Sequence, residues 1–181
     1  ATKLVSRWFH PEKVNDSQLL NIVKEGARRG LTECDKLFNN ETWNCPSDMY
    51  EKLTIFVENT TTRLDAATRE TAFIHAISAA AITHEITLHC TQEKIPGCGC
   101  SKKKHRDGHW IIKACVDDIE FGMSEARRFL DKLENGGDAR TAVNLHNNAV
   151  GREVVLSSQQ KECLCRDATG LNLPLMRNHV I

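Results

Sequence analysis

The stretch TTRLDAATRETAFIHAISAAAITHEITLHC, Thr61–Cys90, decides the fold of this chain. Its central part, Ala72–Ile82, is apolar apart from His75 and Ser78. A surface helix would carry a polar face, so this pattern predicts a helix that is buried on most sides. The apolar run is far shorter than the roughly 20 residues that a bilayer span requires, and acidic side chains bracket it. We therefore predict one long central helix over about 61–90.

Helical patterns also lie on both sides of this stretch. Apolar residues recur at helical spacing over 16–38 and again over 117–134. Asp138 is a suitable cap for a further helix, which we expect to run to Cys163 with a kink near Gly151. Together these patterns predict an all-α fold, a bundle of helices around the long buried one. The predicted core is Leu64, Phe73, Ile74, Ile77, Ala80, Ala81, Ile119, Phe129, Leu130 and Leu145.

Two smaller features lie in the first helical segment and in the C-terminal tail. Gly26 and Gly30 lie four residues apart in the first helical segment, a spacing that admits a closely packed neighbour. Residues 166–181 have no clear periodicity, so we expect an irregular C-terminal tail.

The composition is that of an ordinary folded domain. The 181 residues are 40% hydrophobic and 27% charged, and 24 Lys and Arg balance 24 Asp and Glu. A chain without net charge has no overall field to attract nucleic acid or acidic lipid. Electrostatic binding would have to come from a local patch, and we expect neither a nucleic-acid partner nor direct membrane insertion.

The cysteine count indicates an oxidising compartment. Eight cysteines in 181 residues is a high and even number, typical of a disulfide framework. Three N-x-[ST] sequons, at Asn15, Asn40 and Asn59, agree with passage through the secretory pathway and are candidate glycosylation sites. The chain begins without a signal peptide, as a processed secreted protein would. We expect a secreted, extracellular protein whose cysteines pair with one another, and we expect no metal site.

Two other classes of protein are weaker alternatives. The pairs Cys98–Cys100 and Cys163–Cys165 are each one residue tighter than the usual zinc knuckle, but His89 and other histidines lie near the first pair, so a zinc-dependent interaction module stays open. A secreted, disulfide-rich helical hydrolase would need a calcium-binding glycine loop and a His-Asp pair on facing helices, and the sequence has no such loop. It also has no G-x-S-x-G or H-E-x-x-H motif, so we expect no catalytic residues, no cofactor and no enzyme activity.

One basic run could have an exposed role. Lys102, Lys103, Lys104 and Arg106 lie in the loop between Cys100 and Cys115. The run could simply keep a loop soluble, or it could contact sulfated glycans at the cell surface.

Several motifs, in order along the chain, resemble those of the Wnt family. The central stretch Thr68–Cys90 is similar to the family's T-R-E-x-A-F helix that runs into a cysteine. Trp43–Cys45 resembles its R-W-N-C, Cys98–Cys100 its C-x-C-D loop, and Cys115–Gly122 its C-S-D segment. Asp138–Val155 resembles A-R-x-x-x-N-L-H-N-N-x-A-G-R-x-x-V.

The resemblance implies a secreted signalling ligand that binds Frizzled-type cell-surface receptors. Residues 1–165 would be the family's N-terminal helical domain, and the family's C-terminal cysteine-rich domain is absent from this sequence. The resemblance also implies three disulfides, and it leaves the partners of Cys163 and Cys165 uncertain. The implied pairs are Cys34–Cys45, Cys90–Cys98 and Cys100–Cys115.

The sequence departs from the family after its last two cysteines. Relatives continue with H-G-x-S-G-S-C, a hairpin whose serine carries an acyl chain, whereas RDATGLNL follows Cys165 here. The nearest hydroxyls belong to Ser157 and Ser158, which belong to the helical pattern, and to Thr169 in a loop. We therefore expect no lipid acceptor and a chain without the family's acyl group.

Overall fold

The computed structural model describes residues 16–46, 67–92, 94–96, 98, 102–104, 110–112, 118–134, 136–165 and 174–180. The helices within these ranges are α1 (Asp16–Phe38), α2 (Arg69–Thr91), α3 (Ile119–Leu133) and α4 (Ala139–Ser157). Strand β1 (Lys102–Lys104) pairs antiparallel with β2 (Trp110–Ile112), and β3 (Gln159–Cys165) pairs antiparallel with β4 (Pro174–Val180). Helices α1, α3 and α4 all pack on α2, which confirms the predicted all-α bundle around one central helix. The two short sheets were not predicted.

Helix α2 begins later than the sequence predicts. Thr68 is its N-cap and has extended backbone angles, and a capping box joins it to Thr71. This reciprocal capping satisfies two backbone N–H groups and so fixes the start of the helix at Arg69. The predicted start at Thr61 is therefore wrong, because the extended backbone of Thr68 cannot continue a helix from that side. Residues 61–66 lie outside the described part of the chain.

Three threonine hydroxyls in the C-terminal half of α2 are satisfied within the helix itself. Thr83 donates to the carbonyl of Ala79 at 2.8 Å, Thr87 to that of Thr83 at 2.8 Å, and Thr91 to that of Thr87 at 2.9 Å. A buried hydroxyl without a partner would be destabilising, so these bonds let polar residues occupy a helix that is covered on several sides.

Much of the α1 side of α2 is close-packed and apolar. Aliphatic side chains of both helices meet there, and Ile82 is fully buried. A Cβ atom added at Gly26 would lie 2.7 Å from the Cα of Ile82, and one at Gly30 would lie 3.2 Å from the carbonyl oxygen of Ile77. The predicted role of these glycines, to admit a close neighbour, is confirmed.

Aspartate caps start α3 and α4. The carboxylate of Asp118 accepts from the backbone N–H of Phe121 at 3.1 Å, and that of Asp138 accepts from the N–H of Thr141 at 2.9 Å. Such caps typically contribute about 1 kcal/mol each. The predicted cap of α4 is confirmed, and the short hydrogen bonds lower the pKa of Asp138.

One expectation for α4 is wrong. The helix ends at Ser157 rather than at Cys163, because the chain then enters strand β3, whose hydrogen bonds go to a strand that begins at Pro174. Gly151 lies inside the helix, at a point of close packing. A Cβ atom at this position would lie 2.0 Å from the carbonyl oxygen of Ala76, so only glycine lets α4 approach α2 so closely.

The sequence predicts an irregular C-terminal tail, but the tail contains strand β4. Strand β4 pairs with β3 in a register that sets Cys163 opposite Met176 and Cys165 opposite Pro174. Strand formation depends on a partner that supplies hydrogen bonds, and the local pattern of a tail does not reveal that partner. Residues 166–173 join the two strands.

The predicted core is largely correct. Ile74, Ile119 and Leu130 are buried, and Phe73, Ile77, Ala80 and Phe129 are half-buried against the core clusters. Ala81 and Leu145 are also half-buried, and Leu64 lies outside the described residues. In the part of the chain that the structure describes, no helix is long and apolar enough to span a bilayer.

Candidate functional site

A disulfide and an aromatic cluster close the end of the bundle after α1. Cys34 and Cys45 are joined, with their Cα atoms 5.9 Å apart, as the resemblance implies. Phe38, Trp43 and Phe73 pack edge to face beside the bond, with centroids 5.0 to 6.3 Å apart. Loop closure of this length stabilises a fold by about 2–3 kcal/mol in the chain-entropy model. Residues 39–46 are thus held against the core.

A second disulfide fastens the segment after α2. Cys90 and Cys98 are joined, with Cα atoms 5.5 Å apart. Ile95 between them is buried in the main core, and the amide of Gln18 on α1 donates to the carbonyl of Lys94 at 3.1 Å. Since Cys98 is bonded to Cys90, it is not available as a zinc thiolate. The pair Cys100–Cys115 lies outside the described residues.

The predicted surface residues fall in different parts of the molecule. Asn40 lies in the exposed turn that follows α1, which leaves its sequon accessible, whereas Asn15 and Asn59 lie outside the described residues. Lys102, Lys103 and Lys104 form strand β1. Arg106 lies outside the described residues. Cys163 and Cys165 both belong to strand β3, and their partners stay open.

A polar network joins α4 to α2 and α3. The two terminal guanidinium nitrogens of Arg152, Nη1 and Nη2, donate to the carboxylate of Asp131 at 3.1 and 3.3 Å. Arg152 is nearly fully buried. The amide of Asn144 donates to Glu134 at 3.0 Å. The sequence alone does not indicate these contacts, because the partners lie on another helix.

His75 is the titratable centre of this network. It is buried on α2 and hydrogen-bonded to Asn148 on α4. Burial lowers the pKa of His75 below its ordinary value of 6.5, and the charge of Glu134 and the Asn148 hydrogen bond only partly oppose this effect. The N-L-H-N-N segment of α4 therefore supplies Asn144 and Asn148 to internal contacts, which hold α4 in place.

An ionic cluster that the sequence analysis missed lies between α1 and α2. Glu25 and Arg29 come from α1, and Glu85 and His89 come from α2. The two residues of each pair are at positions i and i+4, so they lie on the same face of their helix. This i and i+4 spacing is the sequence feature that could have indicated the cluster. It does not show that the charged face of α1 lies against that of α2.

The helical-domain motifs match known proteins. The model of the wnt family matches residues 12–172 of this chain. Mouse Wnt-8a is 43% identical over 151 residues, which is 82% of this chain and 41% of that protein. Human Wnt-8a is 41% identical over the same extent. The chain thus spans about two fifths of the length of these relatives.

Solved structures show the same fold. Human WNT8A, in its complex with WLS, matches with a TM-score of 0.62 and 35% identity over 88% of this chain and 53% of that one. The N-terminal domain and linker of Drosophila WntD match with a TM-score of 0.60 and 26% identity, over 84% and 66% of the two chains. Wnt proteins are signalling ligands that bind receptors and are not enzymes, so the hydrolase alternative has no support. From its motifs, its fold and these matches, the chain belongs to the Wnt family.

Proposed function

We propose that this chain is the N-terminal helical domain of a secreted Wnt-type signalling ligand that acts by binding Frizzled-type receptors. The observation that carries the proposal is that the motif side chains of α4 make internal contacts with α2 and with the C-terminal end of α3. Asn148 reaches His75, Asn144 reaches Glu134 and Arg152 reaches Asp131. Side chains used in this way hold helices in position and do not form a reaction site.

The domain therefore serves as a scaffold. Its rigid part consists of buried aliphatic packing and two disulfides, and these features set the relative positions of the segments that leave the bundle. A rigid support lowers the entropy lost when a presented segment binds a partner. We expect receptor contact to come mainly from outside the helices.

Binding to a soluble Frizzled-type ectodomain, measured by surface plasmon resonance, tests this role. A longer protein that joins this chain to a Wnt C-terminal cysteine-rich domain should bind, and the 181-residue chain alone should bind weakly or not at all. Equal affinity of the two proteins would place the receptor site in the helical domain and contradict the scaffold role.

The lack of the family's acyl group is also a proposal. Strands β3 and β4 frame residues 166–173, whose sequence RDATGLNL contains Thr169 and no serine. Metabolic labelling of the secreted protein with an alkyne fatty acid, followed by intact-mass measurement, should show no added acyl group. An added mass that matches a monounsaturated acyl chain would overturn the proposal.

Contact with sulfated glycans would come from the basic run on strand β1. Replacement of Lys102, Lys103 and Lys104 with Gln should lower the salt concentration at which the protein elutes from heparin. Lys132, an exposed lysine on α3, gives the matched control, Lys132→Gln. If both variants elute like the unaltered chain, the basic run is only a solvated strand.

Asn40 is the sequon whose position most favours glycosylation, because it lies in an exposed turn. Glycosidase treatment of the secreted chain should increase its gel mobility, and Asn40→Gln should remove much of that change. No change in mobility would show that the sequon is unused.

A further inference from the structure

The ionic cluster between α1 and α2 has the side chains of a metal site. One ligand atom from each of Glu25, Glu85 and His89 lies within 4.8 Å of the other two. His89 Nε2 is 3.4 Å from Glu85 Oε1 and 3.7 Å from Glu25 Oε2. Ligand atoms that bind a tetrahedral zinc ion at about 2.0–2.1 Å lie roughly 3.3–3.4 Å apart. Small side-chain movements would bring all three atoms to that geometry.

Glu85 supplies a second, independent observation. Its side chain is only 2% exposed, and its Oε2 lies 3.0 Å from the Nε of Arg29. The two atoms are not aligned as a hydrogen bond, so Oε2 accepts none among the described residues. Buried carboxylates normally receive hydrogen bonds or bind a metal, because a charge removed from water must be compensated. An ion pair with a side chain that is 45% exposed provides only part of that compensation.

We propose that Glu25, Glu85 and His89 bind a zinc ion that ties α1 to the C-terminal half of α2. The ligand set of one imidazole and two carboxylates suits zinc, whereas calcium and magnesium require more oxygen ligands. The fourth position would be filled by water on the side of Glu25, which is 59% exposed.

Arg29 gives the proposal a distinctive consequence. Its guanidinium occupies the position beside Glu85 that favours a cation, so it competes with the metal for the same carboxylate. Because Arg29 is partly exposed, its side chain can turn into solvent when zinc binds. Removal of this charge by Arg29→Gln should therefore tighten zinc binding, whereas a purely structural ion-pair cluster would only lose stability.

The experiment uses the secreted, oxidised 181-residue chain with any free thiols alkylated, titrated with Zn²⁺ by isothermal calorimetry. We expect one equivalent to bind to the unaltered chain and roughly tenfold tighter binding to Arg29→Gln, from the removal of one nearby positive charge. Glu25→Gln changes an exposed ligand and should lose the binding while the chain stays folded. Glu33→Gln, also exposed on α1, is the matched control and should bind like the unaltered chain.

A second measurement reports the ligands directly. Co²⁺ in place of Zn²⁺ should give the visible absorption of a tetrahedral ion without a thiolate charge-transfer band, and His89→Ala should abolish that spectrum. Zn²⁺ should also raise the thermal midpoint of the unaltered chain and not that of Glu25→Gln. The proposal is overturned if neither the unaltered chain nor Arg29→Gln binds Zn²⁺, or if Glu25→Gln and His89→Ala bind it undiminished.

Discussion

The two sides of α2 are built in different ways. Towards α1 it presents aliphatic side chains, with Ile82 fully buried against a glycine of the other helix. Towards α4 it presents His75 and the backbone of Ala76, and the contacts include hydrogen bonds and a buried ion pair nearby. Outside the ionic cluster of Glu25, Arg29, Glu85 and His89, the first interface depends on shape and buried area, whereas the second depends also on correctly placed polar partners. A substitution in the aliphatic part of the α1 side should therefore act through volume alone, and one on the α4 side can act through charge and hydrogen bonding as well.

The largest effect should follow loss of the ion pair on the α4 side. Arg152→Met leaves the half-buried carboxylate of Asp131 without its bidentate partner, and the free energy of unfolding should fall by about 3 kcal/mol. Urea unfolding of the secreted chain measures it. Arg127→Met is the matched control: Arg127 also faces Asp131, at 3.5 Å, but is 75% exposed, so the change should stay within about 0.5 kcal/mol. Equal effects of the two variants would show that burial does not matter here.

Steric substitutions should affect both sides of α2. Gly151→Ala sets a methyl group against the carbonyl of Ala76, and Gly26→Ala sets one against the backbone of Ile82. Each should lower the free energy of unfolding by about 1–3 kcal/mol, because backbone atoms cannot move aside as a flexible side chain can. Gly137→Ala, which meets nothing within 4 Å, should be nearly neutral. If Gly151→Ala matches this control, α4 does not pack as closely as described.

Acid should weaken the α4 side. Because burial lowers the folded-state pKa of His75, the unfolded chain binds the proton first as the pH falls through 6.5. The stabilisation is thus complete above pH 6.5 and is lost below it, down to the folded-state pKa. The loss should not exceed about 1.4 kcal/mol per pH unit from this single group. Urea unfolding between pH 7.5 and 5 should show this slope, and His75→Gln should reduce it; an unchanged slope would assign it to other groups.

The smallest effect should come from the α1 side. Ile82→Val removes one methylene from a fully buried position and should lower the free energy of unfolding by about 1 kcal/mol. Since no charge is involved, the change should be the same at pH 7.5 and pH 5. A pH-dependent effect would mean that the two sides of α2 are coupled.

The sequence predicted the apolar side better than the polar one. The apolar run of α2, interrupted only by His75 and Ser78, and the glycines at 26 and 30 indicated a buried helix with a close neighbour, because size and periodicity are local properties. The contact of Asn148 with His75 and that of Arg152 with Asp131 could not be predicted, since each partner is a common surface residue until the helices meet. The cluster of Glu25, Glu85 and His89 could not be predicted either, because these residues also are common on helix surfaces.

Boundaries and strands had their own causes of error. The start of α2 could have been read from Thr68 and Thr71, whose capping box is a local signal. The end of α4 could not, because strand β3 forms only when β4, which begins at Pro174, pairs with it. The two disulfides among the described residues were predicted from the family resemblance and not from the cysteine spacing. The order of the cysteines alone allows many pairings.

The division of α2 into two sides also bears on its synthesis. Helix α1 precedes α2 in the chain, so the large aliphatic side chains on that side can be covered as soon as α2 leaves the ribosome. The end of α4 follows the end of α2 by 66 residues (157 minus 91), roughly 3–13 s at ordinary rates of translation. During that interval the part of α2 that later contacts α4 at His75 and Ala76 exposes a polar ring and a small side chain, which offer little to aggregating neighbours. The order of the helices thus protects the nascent chain while it waits for α4, an expectation that protease protection of ribosome-stalled chains would check.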